Sequence, residues 1–376
     1  MRKNLTMLPG LGLSLLLLGG LLLLGGLPRP VAGAVGAGEL QASLQIPLKD
    51  TQTYGSGYVV GGTPWAERGQ IALTARSNLR DVVVWGDFPS LCQVQIPTQS
   101  IAEPVRLEGN RLAVTFPRLA AGASRTILFE LNTPPVTHQE NAAVSLELTW
   151  VDQNGHSERS SEQFPLEIRP APGWWSYAIS GVGVLLLLLL LLVTRRSRAL
   201  RLFSTQDLIL IAIMAALGGV VFRWFWQTFN SLLGPLGGLL STIPEAVLLI
   251  TALHLVRKPG TATLLLVVEE LIASMVWGTN TLAWLGYYLL PGAVVDLLAA
   301  GLGHDYADRW WTATGYGLTR SFLSYWLFYF FFAPALWKIY YAPWYSWMNI
   351  LIGCTGGLIG GFLGWRLAQR LRQAAI

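Results

Sequence analysis

Two adjacent carboxyl groups, Glu269 and Glu270, interrupt an apolar stretch that covers residues 261 to 276. A helix rises about 1.5 Å per residue, so both groups would lie deep inside a membrane-spanning helix. A charged side chain at such a depth costs about 3 kcal/mol on insertion scales, and it normally faces a bundle interior, a water-filled cavity or a ligand. The pair therefore indicates a membrane protein that handles a polar solute.

A structural role for these carboxyls is the alternative. One of them could be protonated, or could pair with Arg223 or Arg320 and stabilise helix packing. Adjacent residues on a helix point about 100° apart, so the two groups are not expected to face one site. Glu245, which follows Pro244, is a third candidate, since it could neutralise a cationic solute or complement the N-terminal end of a helix.

A fourth acidic residue, Asp296, lies in the cytoplasmic third of a predicted helix, after Pro291 and Gly292. This position favours a structural pairing with His304 or Arg309 over contact with a solute. Asp296 is therefore left outside the predicted site.

The composition places the whole chain in a membrane. Of its 376 residues, 52% are hydrophobic and only 12% are charged, which is too apolar for an ordinary soluble domain. The formal charge of +5 raises the possibility of nucleic-acid binding. However, the Lys and Arg residues cluster beside apolar segments, as membrane topology requires, and this pattern argues against a nucleic-acid partner.

The N-terminus has the features of an export signal. Arg2 and Lys3 precede a run rich in leucine and glycine over residues 11–27, and Ala32-Gly33-Ala34 then offers a small-x-small cleavage pattern. We predict a signal peptide over residues 1–34, and an uncleaved signal anchor is the alternative. No cysteine lies near Ala34, so a lipoprotein anchor is not expected.

Residues 39–169 carry short alternating apolar runs separated by Gly, Pro and Asn turns, and they predict an extracytoplasmic all-β sandwich. The order of strands and turns resembles the immunoglobulin-like modules of bacterial surface proteins. No catalytic constellation or calcium-loop spacing occurs in this region, which indicates a binding or spacing module. Cys92 lies here and Cys354 lies in the last predicted helix, so no disulfide is expected between them.

The remaining chain predicts membrane helices. One anchor helix covers residues 174–194, and a six-helix bundle covers residues 203–370, with spans near 207–226, 236–256, 261–277, 282–303, 314–335 and 347–366. Lys and Arg fall mainly on alternate connections. By the positive-inside rule, the bundle begins and ends in the cytoplasm while the β-domain lies outside the cell. The predicted fold is thus a multi-domain membrane protein.

Two motifs in the bundle carry a family resemblance: Ala212-x-x-x-Ala216 in its first helix, and the turn Val256-Arg-Lys-Pro-Gly260. Residues 203–370 resemble the S component of an energy-coupling factor (ECF) transporter, within the subfamily linked to thiamine or its hydroxymethylpyrimidine precursor. The resemblance implies a subunit that binds a vitamin-like solute and associates with a transmembrane coupling protein and ABC ATPases. It also implies that Ala212 and Ala216 meet the coupling protein. The exported domain is not part of that family pattern.

The family's substrate pocket lies toward the outer side of the bundle, and this chain has carboxyl, aromatic and amide groups there. Aromatic faces stack on heterocycles and attract cations, and a carboxylate neutralises a cationic ring. Alternatively, the aromatic residues form the belt expected at any membrane interface. The predicted substrate-binding residues are Glu245, Glu269, Glu270, Trp277, Asn280, Trp284, Tyr287, Tyr288, Trp344, Trp347 and Asn349.

These features predict a non-enzymatic substrate-binding subunit of an ECF-type ABC importer. The sequence contains no Gly-x-x-x-x-Gly-Lys-Ser/Thr phosphate loop, so partner subunits would hydrolyse ATP. His-Glu-x-x-His and Gly-x-Ser-x-Gly are also absent, and we expect no cofactor and no metal. The alternative function is a membrane-anchored surface or sensing protein whose β-domain recognises the ligand.

Overall fold

The structure is a computed structural model that describes residues 34–374, except residues 36–37, 64–65, 98–104, 172–173, 197–202, 234, 279–280 and 303–308. The chain forms two compact units. A β-unit is drawn from Pro28–Pro172 together with Lys338–Ala342, and a helical unit is drawn from Gly173–Trp337 and Pro343–Ile376. The predicted signal peptide, apart from Ala34, lies outside the described residues.

The β-unit is a sandwich of two sheets. One sheet has the strand order β1-β2-β4-β9-β6 and the other has the order β3-β11-β10-β5-β8-β7. The strands are β1 (Ala34–Val35), β2 (Leu40–Gln45), β3 (Tyr58–Val60), β4 (Glu67–Ala75), β5 (Leu79–Asp87), β6 (Gln93–Gln95), β7 (Val105–Glu108), β8 (Arg111–Leu119), β9 (Ser124–Asn132), β10 (Glu140–Val151) and β11 (Ser157–Arg169), and a short helix α1 (Thr51–Tyr54) precedes β3. The predicted all-β sandwich is confirmed, whereas the immunoglobulin-like subtype stays a prediction.

Alternating side chains build the core of the sandwich. Along β10, Leu146, Leu148 and the residues two positions away are buried while their neighbours are partly exposed, as a strand with one face on a core requires. The β10–β11 hairpin closes at Asp152, whose carboxylate accepts a hydrogen bond from the backbone N–H of His156 at 2.7 Å. This hydrogen bond makes the largest contribution to lowering the pKa of Asp152.

The helical unit contains α2 (Trp174–Arg196), α3 (Thr205–Ala216), α4 (Arg223–Leu233), α5 (Pro235–Val256), α6 (Thr261–Trp277), α7 (Thr281–Leu302), α8 (Trp310–Leu327) and α9 (Pro343–Ala374). Two π-helical segments continue α3 and α8: Leu217–Phe222 leads into α4, and Phe328–Trp337 follows α8. Among the described residues, four helical stretches are long and apolar enough to cross a membrane: Thr205–Phe225, Leu236–Val256, Trp284–Gly301 and Pro343–Ala374. The predicted count of six spans is therefore not confirmed.

Two rows of glycines on α9 allow it to pack closely against two neighbours. A Cβ added at Gly360 would lie 2.5 Å from the carbonyl oxygen of Ile243 on α5. On the other row, a Cβ at Gly361 would lie 2.6 Å from the carbonyl oxygen of Ala313 on α8. Each row thus brings one helix backbone against α9 at a distance that a side chain would prevent.

The predicted anchor helix α2 also packs inside the helical unit. The backbone N–H of Gly286 on α7 donates to Ser180 Oγ at 3.2 Å, and Ser180 is buried. A Cβ at Gly286 would lie 2.7 Å from the backbone nitrogen of Ser180. The close approach means that α2 is part of the same packed unit as α7.

Candidate functional site

Three carboxyl groups meet in the helical unit, and one of them is engaged by an arginine. Glu245 on α5 accepts a hydrogen bond from Arg320 on α8 at 2.7 Å, and the Arg320 side chain is only 5% exposed. Arg320 was considered as a partner for Glu269 or Glu270, but its hydrogen bond is made to Glu245. This ion pair fixes the orientation of Glu245 and reduces its availability for a solute.

Glu269, on α6, lies against the first π-helical segment. A Cβ added at Gly218 would lie 2.8 Å from Glu269 Cδ, and one at Gly219 would lie 2.6 Å from the carbonyl oxygen of Glu269. The indole N–H of Trp277 donates to the carbonyl oxygen of Gly219 at 3.0 Å. The two glycines therefore make the space in which the Glu269 carboxyl is buried.

A second guanidinium group lies at the end of that segment. Arg223 donates a hydrogen bond to the hydroxyl of Tyr288 on α7, and it is within electrostatic range of Glu270 and Glu245. Glu269 is in turn within electrostatic range of Glu245, Glu270 and both arginines. The cluster thus contains one more acidic group than basic groups, and Glu269 and Glu270 are 8% and 0% exposed.

An aromatic wall adjoins the charged cluster. Trp284 on α7 stacks on Phe332 of the second π-helical segment, with ring centroids 5.6 Å apart and planes 6° apart. Tyr287 meets Phe332 edge-on at 5.8 Å and Tyr288 at 5.1 Å. Tyr287 is also within electrostatic range of Arg320, so the aromatic wall adjoins the charged cluster.

The structure adds residues that the sequence did not single out for binding. Phe328 and Trp337, both in the second π-helical segment, lie with ring centroids 5.2 Å apart, and Trp337 lies 5.8 Å from Trp284. The density of aromatic residues between 325 and 332 is the signal that could have identified them. Which of these rings face Trp284 depends on the π-helical turn, which the sequence does not reveal.

The predicted residues of α9 make other contacts. Trp347 packs against Phe330 with ring centroids 5.6 Å apart, and Trp344 is 38% exposed. The amide of buried Asn349 donates to the carbonyl oxygen of Tyr345 at 2.8 Å, within its own helix. Asn280 lies outside the described residues. The contacts of the carboxyl cluster therefore involve the predicted residues of α5, α6 and α7.

Asp296 has a different partner from the one expected. Its carboxylate accepts hydrogen bonds from the backbone N–H groups of Ala262 at 3.1 Å and Thr263 at 2.8 Å, and from Thr263 Oγ1 at 2.6 Å. The predicted pairing with Arg309 is replaced by a cap on the N-terminus of α6, and His304 lies outside the described residues. A carboxylate at that position is favoured by the free N–H groups and the helix dipole.

The predicted coupling surface lies on one side of α3. Ala212 is exposed and Ala216 is half-buried, whereas Ile211, Met214 and Ala215 are buried on the other side. Ile209, Ile213 and Leu217 flank the small residues and are 54%, 55% and 40% exposed. The helix thus presents a shallow apolar face outside the packed core.

Comparison with known proteins gives only distant similarities. No protein-family model and no curated protein sequence matches the chain. Among solved structures, an S component of an ECF transporter is 17% identical over 46% of this chain and 88% of its own length, with a TM-score of 0.39. The major pilin subunit BcpA of Bacillus cereus is 9% identical over 35% of this chain and 40% of its own, with a TM-score of 0.27. The soluble domain of PmoD from Methylocystis is 10% identical over 35% of this chain and 96% of its own, with a TM-score of 0.19.

Proposed function

We propose that this protein is the solute-binding membrane subunit of an ECF-type importer, and that it captures a vitamin-like heterocycle, with cationic thiamine favoured over its neutral pyrimidine precursor. One observation carries the proposal: three carboxyls and two guanidinium groups, of which Glu269, Glu270 and Arg320 are buried, cluster beside an aromatic wall in a bundle of apolar helices. Buried ionisable groups inside such a bundle are costly and mark the path or binding site of a polar solute.

The charge distribution assigns different tasks to the acidic groups. Glu245 is paired with Arg320, so its role is to hold that arginine and shape the site. Glu269 lies over the glycine backbone beside the acidic excess, which makes it the group to neutralise the positive charge of a solute. This assignment places Glu269 ahead of Glu245 among the candidates. The rings of Trp284 and Tyr287 then stack on the heterocycle.

The wider arrangement of the subunit follows from the sequence. Six spans with both ends in the cytoplasm would place the β-unit outside the cell, on the side from which the solute arrives. The exposed face of α3 around Ala212 and Ala216 would meet the transmembrane coupling protein, because small residues permit close helix approach. ABC ATPases in trans would supply the energy.

The proposal is tested by calorimetry on the purified full-length protein with thiamine as the probe. We expect wild-type protein to bind thiamine, Glu269→Gln to lose most of the affinity, and Glu162→Gln, an exposed change in β11, to bind normally. A neutral pyrimidine without the thiazolium ring measures the contribution of the charge. Binding that survives Glu269→Gln but is lost on changes in the β-unit would support the ligand-recognising β-domain instead.

A further inference from the structure

The helices α8 and α9 run antiparallel and are packed closely along one side. A Cβ added at Gly361 of α9 would lie 2.6 Å from the carbonyl oxygen of Ala313 on α8. A Cβ added at Gly317 of α8 would lie 2.2 Å from the carbonyl oxygen of Gly357 on α9. The start of α8 therefore lies beside the C-terminal part of α9.

Arginines lie at the same end of both helices, just beyond this contact. Arg309, at the N-cap of α8, precedes Ala313 by four residues, and Arg366 follows Gly361 by five. At about 1.5 Å per residue, each lies about 6 to 8 Å beyond the contact, and the antiparallel direction places both at one end of the helix pair. Arg370 follows about one turn later on α9, and all three residues are exposed. We call Arg309, Arg366 and Arg370 the arginine rim.

Aromatic rings connect the two sides of the arginine rim. The Arg366 guanidinium lies 4.7 Å from the ring centroid of Phe362, and the Phe362 ring meets the ring of Trp310 edge-on at 6.3 Å. The Arg309 guanidinium lies 5.7 Å from the ring centroid of Trp311. Trp310 is itself 50% exposed. Tryptophan beside arginine at the end of an apolar helix is typical of the boundary between hydrocarbon and lipid headgroups.

The length of α9 places the arginine rim at the same boundary. This helix has 32 residues and is about 48 Å long, whereas the hydrocarbon core of a bilayer is about 30 Å thick. Trp344 and Trp347 lie near its first residue, as side chains at a membrane boundary commonly do. The opposite boundary then lies about 20 residues after Trp347, next to Arg366. A guanidinium group inside the hydrocarbon is costly, which also favours this placement.

Exposed leucines adjoin the arginines on α9. Leu363, Leu367 and Leu371 recur at every fourth position and are 43%, 39% and 42% exposed. Arg366 follows Leu363 by three residues, and Arg370 follows Leu367 by three, so each guanidinium shares a helix face with a leucine. An apolar side chain beside a cation at a membrane boundary matches the acyl chain and the headgroup of a lipid.

The charge balance at this end favours an anionic lipid. Helix α9 contains three arginines and no acidic residue. The connection before α8 adds Arg309 together with Asp305 and Asp308, so the two segments carry four positive and two negative charges. Basic groups between membrane helices at the headgroup level bind anionic lipid headgroups.

We propose that the arginine rim binds the phosphate headgroup of an anionic phospholipid, while Trp310 and the exposed leucines of α9 contact its acyl chains. The planar guanidinium group forms paired hydrogen bonds with phosphate oxygens. A lipid held by both Arg309 and Arg366 joins the start of α8 to the end of α9. Arg320 of the carboxyl cluster follows Arg309 by 11 residues, about 16 Å along α8, so this site is separate from the candidate solute site.

The proposal is tested by native mass spectrometry of the full-length protein in a neutral detergent. The protein is titrated with phosphatidylglycerol or with phosphatidylcholine that has the same acyl chains, and we expect tighter binding of phosphatidylglycerol. The double variant Arg309→Gln with Arg366→Gln should bind phosphatidylglycerol about 30-fold more weakly, corresponding to about 2 kcal/mol for two arginines. The matched control is Arg106→Gln with Arg125→Gln, two exposed arginines of the β-unit, which should bind like wild type. Unchanged affinity in the first double variant, or equal losses in both, would overturn the proposal.

A conservative variant and a second ligand identify the chemistry. Arg366→Lys keeps the charge and loses the paired hydrogen bonds, so it should weaken phosphatidylglycerol binding less than the double variant does. It also replaces the double variant if that protein does not fold, and an affinity equal to wild type would then contradict the proposal. Inorganic phosphate should not displace phosphatidylglycerol. Displacement would mean a site for free anions and would overturn the lipid assignment.

Amide hydrogen exchange locates the bound lipid. Exchange in α9 after Phe362 should be slower in lipid discs of phosphatidylcholine and phosphatidylglycerol in equal parts than in discs of phosphatidylcholine alone, because bound lipid opposes local opening. Exchange in β10 should be the same in both discs. Equal exchange of α9 in both discs would overturn the proposal, as would protection without phosphatidylglycerol that accompanies dimer formation, since a second copy would then cover the arginine rim.

Discussion

Asp296 and Glu269 are both buried carboxyls of the helical unit, 1% and 8% exposed, but their surroundings differ. Asp296 accepts two backbone N–H groups and a hydroxyl at the start of α6. Glu269 lies across Gly218, within range of two other carboxyls and two arginines. Burial alone therefore does not distinguish the capping carboxylate from the carboxyl that we propose to bind the solute. Asp296 completes a helix end, whereas Glu269 belongs to a cluster of three carboxyls and two arginines, and this is the basis of its proposed contact with a cation.

The largest expected effect is on solute affinity. Glu269→Gln keeps the side-chain volume and removes the charge, and loss of a desolvated charge contact costs about 2 to 5 kcal/mol. Thiamine affinity should therefore fall by about 30-fold to several thousand-fold, measured by calorimetry. The thermal unfolding of the ligand-free protein should stay near wild type, because packing changes little.

The matched control for Glu269→Gln is Asp296→Asn. It should leave thiamine affinity within about twofold of wild type, since the Asp296 carboxylate is hydrogen-bonded to the start of α6. If Asp296→Asn weakened binding as much as Glu269→Gln, the distinction between the two carboxyls would be wrong.

The next largest effect is on stability, and it is expected for changes at Asp296 and not for Glu269→Gln. Asp296→Ala removes the acceptor for two backbone N–H groups at the N-terminus of α6. Loss of a cap that leaves buried donors unsatisfied should lower the free energy of unfolding by about 3 kcal/mol. Asp296→Asn retains one acceptor oxygen and should cost less. Equal stability of wild type and Asp296→Ala in thermal unfolding would contradict the capping role.

A smaller effect is expected when the space that Gly218 leaves for the Glu269 carboxyl is filled. In Gly218→Ala the new Cβ would lie 2.8 Å from Glu269 Cδ, so the carboxyl must move. We expect about tenfold weaker thiamine binding, or about 1.4 kcal/mol, with little change in helix content. Gly315→Ala is the control, because a Cβ there has no atom within 4 Å. Equal affinity of the two variants would show that the position of Glu269 is not set by Gly218.

The sequence predicted the β-unit better than it predicted the contacts inside the helical unit. The alternation of apolar residues along strands and the turn residues between them were sufficient to predict the β-sandwich, because both signals are local in the sequence. The apolar residues around Glu269 and Glu270 likewise indicated that these carboxyls are buried. The pairing of Glu245 with Arg320 joins positions 75 apart in the chain, and the cap from Asp296 to Thr263 joins positions 33 apart. Such partners depend on tertiary packing, as do the π-helical turns.

The smallest expected effect concerns a partly exposed counterpart of Asp296 in the β-unit. Asp152 also accepts backbone hydrogen bonds, chiefly from His156, and its pKa is lowered from the ordinary value of 3.8. A carboxyl whose pKa is lowered by folding contributes stability above its unfolded pKa, and that stability is lost as the pH falls through the lower folded value. The β10–β11 turn should therefore open more readily in acid, below about pH 4.

Asp152→Asn should remove this pH dependence while Asp87→Asn, an exposed carboxyl on β5, should preserve it. The measurement is amide exchange at His156, corrected for the intrinsic effect of pH on exchange, because the change in global stability is small. An identical acid response in wild type and Asp152→Asn would mean that the backbone turn holds without the carboxylate. In that case a carboxylate that accepts backbone N–H groups would matter for stability only at buried positions such as Asp296, where water cannot replace the lost acceptor.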